Sequence, residues 1–486
     1  MKNILFVASE SVPFIKTGGL ADVVGSLPKS FPKDEFDVRV VIPNYKCIPW
    51  QYKNNFKYVT HFYMDLGQVS KNTYVGIMTC EYDGITFYFI DNEHYFGGNA
   101  PYSGDTKFDI EKFCFFSKAA LSILPSINFK PDIIHCHDWQ TGVLPVYLHT
   151  IFNDNSFYHN IKTIMTIHNL KFQGIWDIKT LKSITNFPDY VFRPTDMEYK
   201  KDANMLKGGL IYANYITTVS NSYKNEIQCD YYGEGLDGVI REKSGGLYGI
   251  LNGIDYNEYN PETDNEIFRT YGKYSFIPNK AYNKTELQKE LGLTVDENKF
   301  MIGLISRLTD QKGIDLIKNV IEQIADDHTQ LVILGTGDEG YENLFRYYEW
   351  KLKDRVSGNI CFSNNRAHKI YAAADAMLVP SRFEPCGLTQ LIALRYGSVP
   401  IVRETGGLRD TVEPYNEHYD CGTGFSFANY NAYEMLNIIN YAKHVYFNQR
   451  DKWNGIAYRG MCKDFSWNNS AEEYTKLYRK LMGEWV

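Results

Sequence analysis

The chain has 486 residues, of which 44% are apolar and 22% charged, as in globular proteins and unlike disordered or fibrous ones. At about 150 residues per domain, this length predicts two or three domains. The 51 Lys and Arg against 58 Asp and Glu give a net charge of −7, which disfavours bulk attraction to nucleic acid or to an anionic membrane. Any phosphate must therefore be bound by a few well-placed cations.

Cysteine usage and the N-terminal segment bear on the compartment. The nine cysteines are scattered and form no C-x-x-C pair, which predicts reduced thiols in a cytoplasmic protein. The first residues have a short apolar run like that of a signal peptide, but it passes directly into Glu10 and Lys16. This predicts a first buried strand instead. No apolar stretch reaches membrane-spanning length.

Short β-branched runs, each followed by a polar loop and a helical segment, predict buried parallel strands along the whole chain. In chain order these strands are predicted at 4–8, 38–42, 132–135, 162–168, 215–219, 299–305, 330–334, 359–362, 376–379 and 398–402. Strands that alternate with helices predict an α/β fold with two doubly wound parallel sheets. Ligands of such sheets bind beyond the carboxyl ends of the strands.

A short glycine repeat occurs once in each half of the sequence. The segment 16–22, KTGGLAD, recurs at 404–410 as ETGGLRD, and each copy follows a predicted strand and precedes a helix. The paired glycines, Gly18 and Gly19 in the first copy, let backbone N–H groups approach an anion at a helix N-terminus. The alternative is a coincidence of turn chemistry.

A glycine cluster at 245–249 predicts the domain boundary. The first domain is then 1–245, the second 246–460, and the C-terminal segment 461–486. In that segment Ser466 is a candidate N-cap, and apolar residues at helical spacing predict a final helix that needs a partner surface. These residues are Trp467, Ala471, Tyr474, Leu477 and Leu481.

Two cations follow the strand predicted to end at residue 305. Arg307 and Lys312 leave this strand end on one loop, and both side chains can reach a common anion at a helix start. A solvated basic pair is the alternative. The position after a buried strand, together with Gly313, favours phosphate binding.

The segment 380–390, PSRFEPCGLTQ, places Glu384 between a strand end and a helix predicted to begin near Gly387. Free N–H groups at that helix start suit a diphosphate or a sugar hydroxyl, and Pro385 stiffens the loop. Because a carboxylate is costly there unless it is paired, structural capping is the alternative.

The segment 135–139, HCHDW, contains a histidine pair and an aspartate at a strand end. Without a third, carboxylate-rich segment, hydrogen bonding to a hydroxylated ligand is favoured over a metal site. His168, at the end of another strand, lies at the same predicted rim. The sequence contains no Asp-x-Asp, so we expect metal-independent chemistry.

The segment 335–340 matches G-x-G-x-x-G and follows a predicted strand, as in dinucleotide-binding folds. The next predicted strand ends in Ser363 and Asn364, where such folds have an acid that holds the ribose. A hydride-transfer enzyme is therefore the weaker interpretation.

Seven motifs in order resemble those of the bacterial glycogen synthase and plant starch synthase family, at 16–25, 135–139, 166–169, 251–255, 306–313, 381–390 and 405–408. The resemblance runs from Met1 to the tail at 465–467. Plant members carry transit peptides, so we expect a bacterial member. The resemblance implies a GT-B fold, in which two Rossmann-like domains surround a deep cleft and a C-terminal helix crosses back to the first domain.

The resemblance also implies an activity: transfer of glucose from ADP-glucose to the non-reducing 4-hydroxyl of an α-1,4-glucan, with retention of configuration and without metal or cofactor. The implied partners are ADP-glucose and glycogen, with no nucleic acid and no membrane. One alternative is another retaining GT-B transferase that uses UDP-glucose or a non-glucan acceptor. Another is a glucan-binding or structural protein that kept the fold.

The resemblance further implies roles for individual residues. The diphosphate is contacted by Lys16, Gly18 and Gly19 from the first domain and by Arg307, Lys312, Leu388 and Thr389 from the second. The glucose is surrounded by Asp138, His168, Asn252, Glu384, Cys386 and Gly387. The residues implied to act in catalysis are Asp138, His168, Arg307, Lys312 and Glu384.

The resemblance also implies that Phe362, where relatives have an aromatic residue, stacks on adenine. Glu10, Tyr95 and Tyr102 are candidates for the acceptor end of the site. Two positions depart from relatives of this sequence: Gln140 replaces a histidine found in some of them, and Ile392 replaces the second Glu of the wider GT-B pattern.

Overall fold

A computed structural model describes residues 1–484 and divides into two compact units. Unit 1 comprises Met1–Gly253 together with the C-terminal residues from Trp467 onward, and unit 2 comprises Ile254–Ser466. The last two residues of the predicted segment 461–486 lie outside the described residues.

Unit 1 is built on a mostly parallel sheet. Its strands are β1 (Lys2–Val7), β2 (Phe36–Pro43), β3 (Lys57–Leu66), β4 (Ser70–Tyr82), β5 (Ile85–Asp91), β6 (Ile133–His137), β7 (Lys162–Ile167), β8 (Ile175–Asp177), β9 (Glu198–Tyr199), β10 (Asp202–Asn204), β11 (Tyr215–Thr218) and β12 (Leu247–Gly249). In the described residues nine of them form one sheet in the order β12-β11-β7-β6-β1-β2-β5-β4-β3. All neighbours are parallel except the antiparallel β5-β4-β3 edge. The strands β8, β10 and β9 form a separate small antiparallel sheet.

Helices connect these strands and cover the sheet. They are α1 (Gly19–Ser26), α2 (Trp50–Lys53), α3 (Glu93–Phe96), α4 (Thr106–Ser122), α5 (Leu144–His149), α6 (Ile178–Thr185), α7 (Met205–Tyr212), α8 (Asn221–Glu226) and α9 (Asp237–Glu242). Local sequence sets their starts: the Asp105 side chain, for example, accepts hydrogen bonds from the backbone N–H groups of Lys107 and Phe108. The apolar runs of β1, β6 and β7 are buried because helices cover the parallel sheet.

Unit 2 contains a second parallel sheet. Its strands are β13 (Phe300–Ile305), β14 (Thr329–Leu334), β15 (Val356–Asn359), β16 (Ala376–Val379), β17 (Val399–Arg403) and β18 (Phe425–Phe427). Their order, β15-β14-β13-β16-β17-β18, is the doubly wound 3-2-1-4-5-6 arrangement. The helices are α10 (Phe276–Leu291), α11 (Ile314–Ile324), α12 (Glu339–Lys351), α13 (Asn364–Ala373), α14 (Thr389–Arg395), α15 (Gly406–Thr411), α16 (Ala432–Asn448) and α17 (Arg450–Cys462).

The final helix, α18 (Trp467–Leu481), packs against unit 1. The Tyr478 ring stacks on Phe31 with ring centroids 5.4 Å apart, and its hydroxyl lies 2.8 Å from Nδ1 of buried His135. Arg479 forms an ion pair with Glu35 at 2.5 Å. The apolar face that the sequence predicts therefore has its partner surface in unit 1, and Tyr478 is an additional member of that face.

Nine of the ten predicted strands are confirmed to within a few residues. The prediction for 359–362 is wrong: β15 ends at Asn359, so Phe362 lies in the loop after it. The predicted pair of doubly wound sheets is confirmed. None of the helices in residues 1–484 has the length and apolarity needed to cross a membrane.

Removing the Tyr478 hydroxyl tests the attachment of α18. Tyr478→Phe keeps the ring but leaves Nδ1 of His135 without its partner inside the protein, which costs about 1–3 kcal/mol of stability. We expect a lower urea midpoint for this variant. Tyr231→Phe, at an exposed tyrosine of the same unit, is the control and should leave the midpoint unchanged. Equal midpoints for the two variants would contradict the assigned hydrogen bond.

Candidate active site

The predicted site residues lie where parallel strands end. In unit 1 most of them follow β1, β6, β7 and β12, and in unit 2 most follow β13 and β16; Tyr95 and Tyr102 come after β5, and Phe362 after β15. Because β13 and β16 are neighbours in the sheet, their loops meet at one edge. The same holds for β1, β6 and β7, which pair in that order.

Glu10, just after β1, is enclosed by the first glycine repeat. Its carboxylate accepts hydrogen bonds from the backbone N–H groups of Thr17 and Gly18. Only 4% of the residue is exposed, and burial raises the pKa of this carboxyl to about 7. Of the two glycines whose amides the sequence assigns to an external anion, Gly18 thus has its N–H on an internal carboxylate.

Lys16 and Asp22, at the two ends of that repeat, form an ion pair of 2.7 Å. The lysine side chain is partly exposed and the aspartate is more buried. Lys16 therefore stands at the surface of the loop next to Glu10, and binding an external phosphate there would draw it away from Asp22.

Asp138, directly after β6, has an unusual backbone conformation, with φ of +55°. A non-glycine residue at positive φ costs of the order of 1–3 kcal/mol and persists only where the surroundings enforce it. Its carboxylate accepts hydrogen bonds from the backbone N–H groups of His168 at 2.7 Å and Asn169 at 3.4 Å. Burial raises the pKa of Asp138 to about 7. This contact joins the ends of β6 and β7.

His168 contacts a second histidine through its side chain. Its Nε2 lies 3.0 Å from Nδ1 of His137, the last residue of β6. Burial lowers the pKa of His168 to about 3 and that of His137 well below its ordinary value. Both imidazoles are neutral at working pH and act as hydrogen-bonding groups, not as cations.

The acceptor-end candidates divide into two groups. Tyr102 accepts a hydrogen bond from Nε2 of Gln140 at 2.5 Å. Burial and the charge of nearby Glu10 raise the pKa of its hydroxyl. Tyr95, by contrast, is buried in the core, where it stacks on Phe115 at 4.5 Å. The structure brings Tyr102 near Glu10 and gives Tyr95 a packing contact.

Asn252 is buried in the segment that follows β12, at the end of unit 1. The carbonyl of its neighbour Leu251 accepts a hydrogen bond of 2.6 Å from the hydroxyl of Ser470 on α18. The final helix thus fixes the backbone that carries Asn252.

Lys312 and Glu384 form the central contact of unit 2. The Lys312 Nζ lies 2.6 Å from Oε2 of Glu384, and the hydroxyl of Ser381 donates to the same oxygen at 2.9 Å. Glu384 is only 7% exposed, so its charge needs these partners. The pair joins the loop after β13 to the loop after β16.

Arg307 lies on the same loop as Lys312 and is exposed. Its guanidinium forms no ion pair with any residue in the described part of the chain. An exposed arginine beside a paired lysine at a strand end can bind an incoming anion with its full set of donors.

The loop after β16 is held by the second glycine repeat. Gly406 has φ of +45°, and a Cβ there would lie 2.0 Å from the carbonyl oxygen of Glu384. The N–H of Gly407 donates to that same carbonyl at 3.1 Å. Only glycine permits this approach, which fixes the backbone of the residue whose side chain pairs with Lys312.

The remaining unit 2 candidates surround this loop. The carbonyls of Cys386 and Gly387 accept hydrogen bonds from Nε2 of Gln390 at 3.0 and 2.9 Å. Leu388 and Thr389 lie at the start of α14, where backbone N–H groups have no partner within the helix. Phe362 is 81% exposed in the loop after β15.

The G-x-G pattern at 335–340 has a packing explanation. A Cβ on Gly335 would lie 1.8 Å from the carbonyl oxygen of Ser306, and Gly337 pairs with Leu308. The glycines allow close approach to the loop that carries Arg307. The pattern is therefore explained without a bound dinucleotide, in agreement with the sequence analysis.

Sequence reasoning did not identify three of these contacts: the hydrogen bond from Ser381 to the Glu384 oxygen that Lys312 also contacts, the pairing of Lys16 with Asp22, and the contact of His137 with His168. The spacing of Lys16 and Asp22 across one helix start could have indicated their pairing. Within residues 1–484 no group of three or more His, Cys, Asp or Glu side chains is arranged to hold a metal ion.

Comparisons with known proteins cover the whole chain. The family described as starch synthase catalytic domain matches residues 3–242, and that described as glycosyl transferases group 1 matches 284–459. Glycogen synthases of Lachnospira eligens and Lachnoclostridium phytofermentans are 62% and 60% identical to it, over 99% of this chain and 100% of theirs.

A solved structure is similar throughout. The catalytic domain of starch synthase IV from Arabidopsis thaliana, bound to ADP and acarbose, is 31% identical with a TM-score of 0.92, over 99% of this chain and 100% of that one. Sucrose-phosphate synthase from Thermosynechococcus elongatus shares the fold, with 16% identity and a TM-score of 0.62 over 99% and 100% of the two chains.

The raised pKa of Glu10 predicts that ionisation of this carboxyl lowers the stability of the folded protein. Between its ordinary value of 4.5 and about 7, the folded protein binds more protons than the unfolded chain, so this group lowers stability as pH rises. Glu10→Gln cannot ionise. We expect it to gain up to about 3 kcal/mol over the wild type between pH 4.5 and 8.

Unfolding midpoints of both proteins at several pH values measure this difference. The control is Glu93→Gln, at an exposed residue of the same unit, and it should follow the wild type at every pH. If the unfolding midpoint of Glu10→Gln changed with pH in parallel with that of the wild type, the raised pKa of Glu10 would be contradicted.

Proposed function

The chain belongs to the family of bacterial glycogen synthases and plant starch synthases, and on that premise we propose that it transfers glucose from ADP-glucose to the non-reducing 4-hydroxyl of an α-1,4-glucan, with retention of configuration. It is a glycosyltransferase of the GT-B fold, with two Rossmann-like domains. The donor, the stereochemistry and the residue roles below are the proposal. ADP in the Arabidopsis starch synthase supports ADP as the nucleotide here.

The observation that carries the proposal is the Lys312–Glu384 pair, with the exposed Arg307 on the same loop. When the bond between C1 of glucose and the diphosphate oxygen breaks, its electron pair stays on the diphosphate. Arg307 and Lys312 stabilise this growing negative charge. Leu388 and Thr389 add backbone N–H donors at the start of α14.

Glu384 acts on the sugar side of the same event. As C1 loses its leaving group, the ring becomes oxocarbenium-like and positively charged. A carboxylate held by Lys312 and Ser381 orients the donor and stabilises that positive charge. The acceptor hydroxyl then bonds to C1, and its proton passes to the departing phosphate oxygen.

The groups of unit 1 suit hydroxyl recognition. Asp138 and Glu10, with pKa values of about 7, and the neutral His168 can each exchange hydrogen bonds with sugar hydroxyls. Lys16, partly exposed in its pair with Asp22, is assigned to the diphosphate, together with the backbone at Gly19 and at Gly18, whose N–H must then leave the Glu10 carboxylate. Tyr102 extends this polar surface.

The proposal includes a cytoplasmic location and catalysis without a metal. Nine free cysteines support a reducing compartment. Cationic side chains that reach the leaving group supply the charge that a divalent ion supplies in other transferases.

Substitution of Glu384 tests whether this residue is needed for glucosyl transfer but not for nucleotide binding. Glu384→Ala should reduce glucosyl transfer at least about a hundredfold. ADP affinity should be retained or increase, because Lys312 loses its internal partner. Transfer is measured as labelled glucose incorporated into glycogen, and ADP binding by calorimetry.

The matched control is Glu290→Ala, which removes the ion pairs of Glu290 with Arg366 and Lys369 in the same unit. It should retain full activity. Wild-type transfer rates in Glu384→Ala would refute the role assigned to this carboxylate.

Donor choice and metal dependence are tested together. We expect faster turnover with ADP-glucose than with UDP-glucose, and the same rates with excess EDTA, because side-chain cations stabilise the diphosphate. Faster turnover with UDP-glucose would favour the alternative transferase. Loss of activity in EDTA that Mg²⁺ restores would overturn metal-independent catalysis.

A further inference from the structure

Three histidines in unit 1 form a contiguous cluster, here called the stack, of which His135 and His137 are buried. The rings of His135 and His137 are stacked with centroids 4.4 Å apart, and Phe6 stacks on His137 at 5.3 Å. His137 contacts His168 through the 3.0 Å pair between Nδ1 and Nε2. His168 alone among the three is partly exposed, so it is the member of the stack that a ligand can reach.

The stack is held rigidly from the far side. Nδ1 of His135 lies 2.8 Å from the Tyr478 hydroxyl, and its Nε2 lies 2.5 Å from Oγ1 of Thr166. With both ring nitrogens engaged, His135 cannot rotate. The His137 ring is therefore held between the rings of Phe6 and His135.

The contact between His137 and His168 has two possible proton arrangements, because both rings are neutral and one nitrogen must donate. If His168 donated from Nε2, His137 would carry its proton on its own Nε2. That atom is buried and has no hydrogen-bond partner among residues 1–484. An orphaned buried N–H is rarer in proteins than an under-satisfied acceptor. The geometry thus favours Nδ1–H of His137 as the donor.

We propose that His137 is a positioning residue: it donates from Nδ1 to Nε2 of His168 and so leaves the Nδ1–H of His168 to donate to a hydroxyl oxygen of the glucosyl group. The identity of that ligand rests on the proposed function. Nδ1 of His168 has no hydrogen-bond partner in the described part of the chain. His137 thereby fixes both the ring orientation and the hydrogen-bonding polarity that the sugar meets.

The tautomer is measured directly on the full chain without substrate. Long-range proton–nitrogen NMR of protein labelled with ¹⁵N-histidine distinguishes Nδ1–H from Nε2–H, and His168→Gln identifies the His168 signal among the 11 histidines. We expect Nδ1–H at His168. Nε2–H at His168 in the wild type would overturn the proposal.

Two substitutions separate hydrogen bonding from packing. His137→Phe preserves an aromatic ring in the stack but removes the donor, whereas His137→Asn removes the ring but keeps an amide N–H near the position of Nδ1. We expect kcat/KM for ADP-glucose to fall about tenfold or more in His137→Phe and to recover in His137→Asn. ADP affinity should be unchanged in both, since ADP carries no glucosyl group.

A purely structural role for His137 predicts the opposite ranking, with Phe tolerated and Asn harmful, and that result would overturn the proposal. If a variant fails to fold, the wild-type tautomer still decides. Failure of the wild type to transfer glucose would refute the proposed function, while the NMR result would still decide the proton arrangement.

Discussion

The ion pair between Lys312 and Glu384 is the interaction on which the chemistry of unit 2 depends. A carboxylate with 7% exposure would be too costly to keep ionised without a partner, and Lys312 at 2.6 Å and the Ser381 hydroxyl at 2.9 Å supply it. The pair ties together the loops after two neighbouring strands. The loop after β13 also carries Arg307. Its charge has no ion-pair partner in the described residues and is therefore available to bind an anion.

Two carboxyl groups at strand ends of unit 1 have different surroundings. Glu10 and Asp138 are stabilised by backbone N–H groups and not by a cation, and burial raises the pKa of each to about 7. The nearby histidines are neutral. The loop after β13 in unit 2 therefore offers Arg307 beside the paired Lys312, which suits a diphosphate, while these strand ends of unit 1 offer weakly charged hydrogen-bonding groups, which suit hydroxyls.

Whether a strand could be predicted from the sequence depends on how its residues are buried. Buried parallel strands such as β13 are continuous apolar runs, which the sequence analysis locates. The antiparallel hairpin of β3 and β4 was not located, because its edge exposes residues such as Tyr58 and Tyr63 and has no buried run. Motifs placed Glu384 and Lys312 at strand ends, but their pairing depends on the adjacency of β13 and β16, which sequence spacing does not encode.

The two glycine repeats show why a motif predicts a turn better than a ligand. Both copies allow close backbone approach before a helix, as the sequence predicts. In the first, the N–H groups of Thr17 and Gly18 bind the Glu10 carboxylate; in the second, the N–H of Gly407 binds the main-chain carbonyl of Glu384. In the first copy the partner lies seven residues earlier, after β1, and in the second it lies in the loop after β16, the strand before β17. The repeat therefore fixes one charged side chain in each unit: Glu10 by its carboxylate, and Glu384 by its backbone, which leaves the Glu384 carboxylate to Lys312.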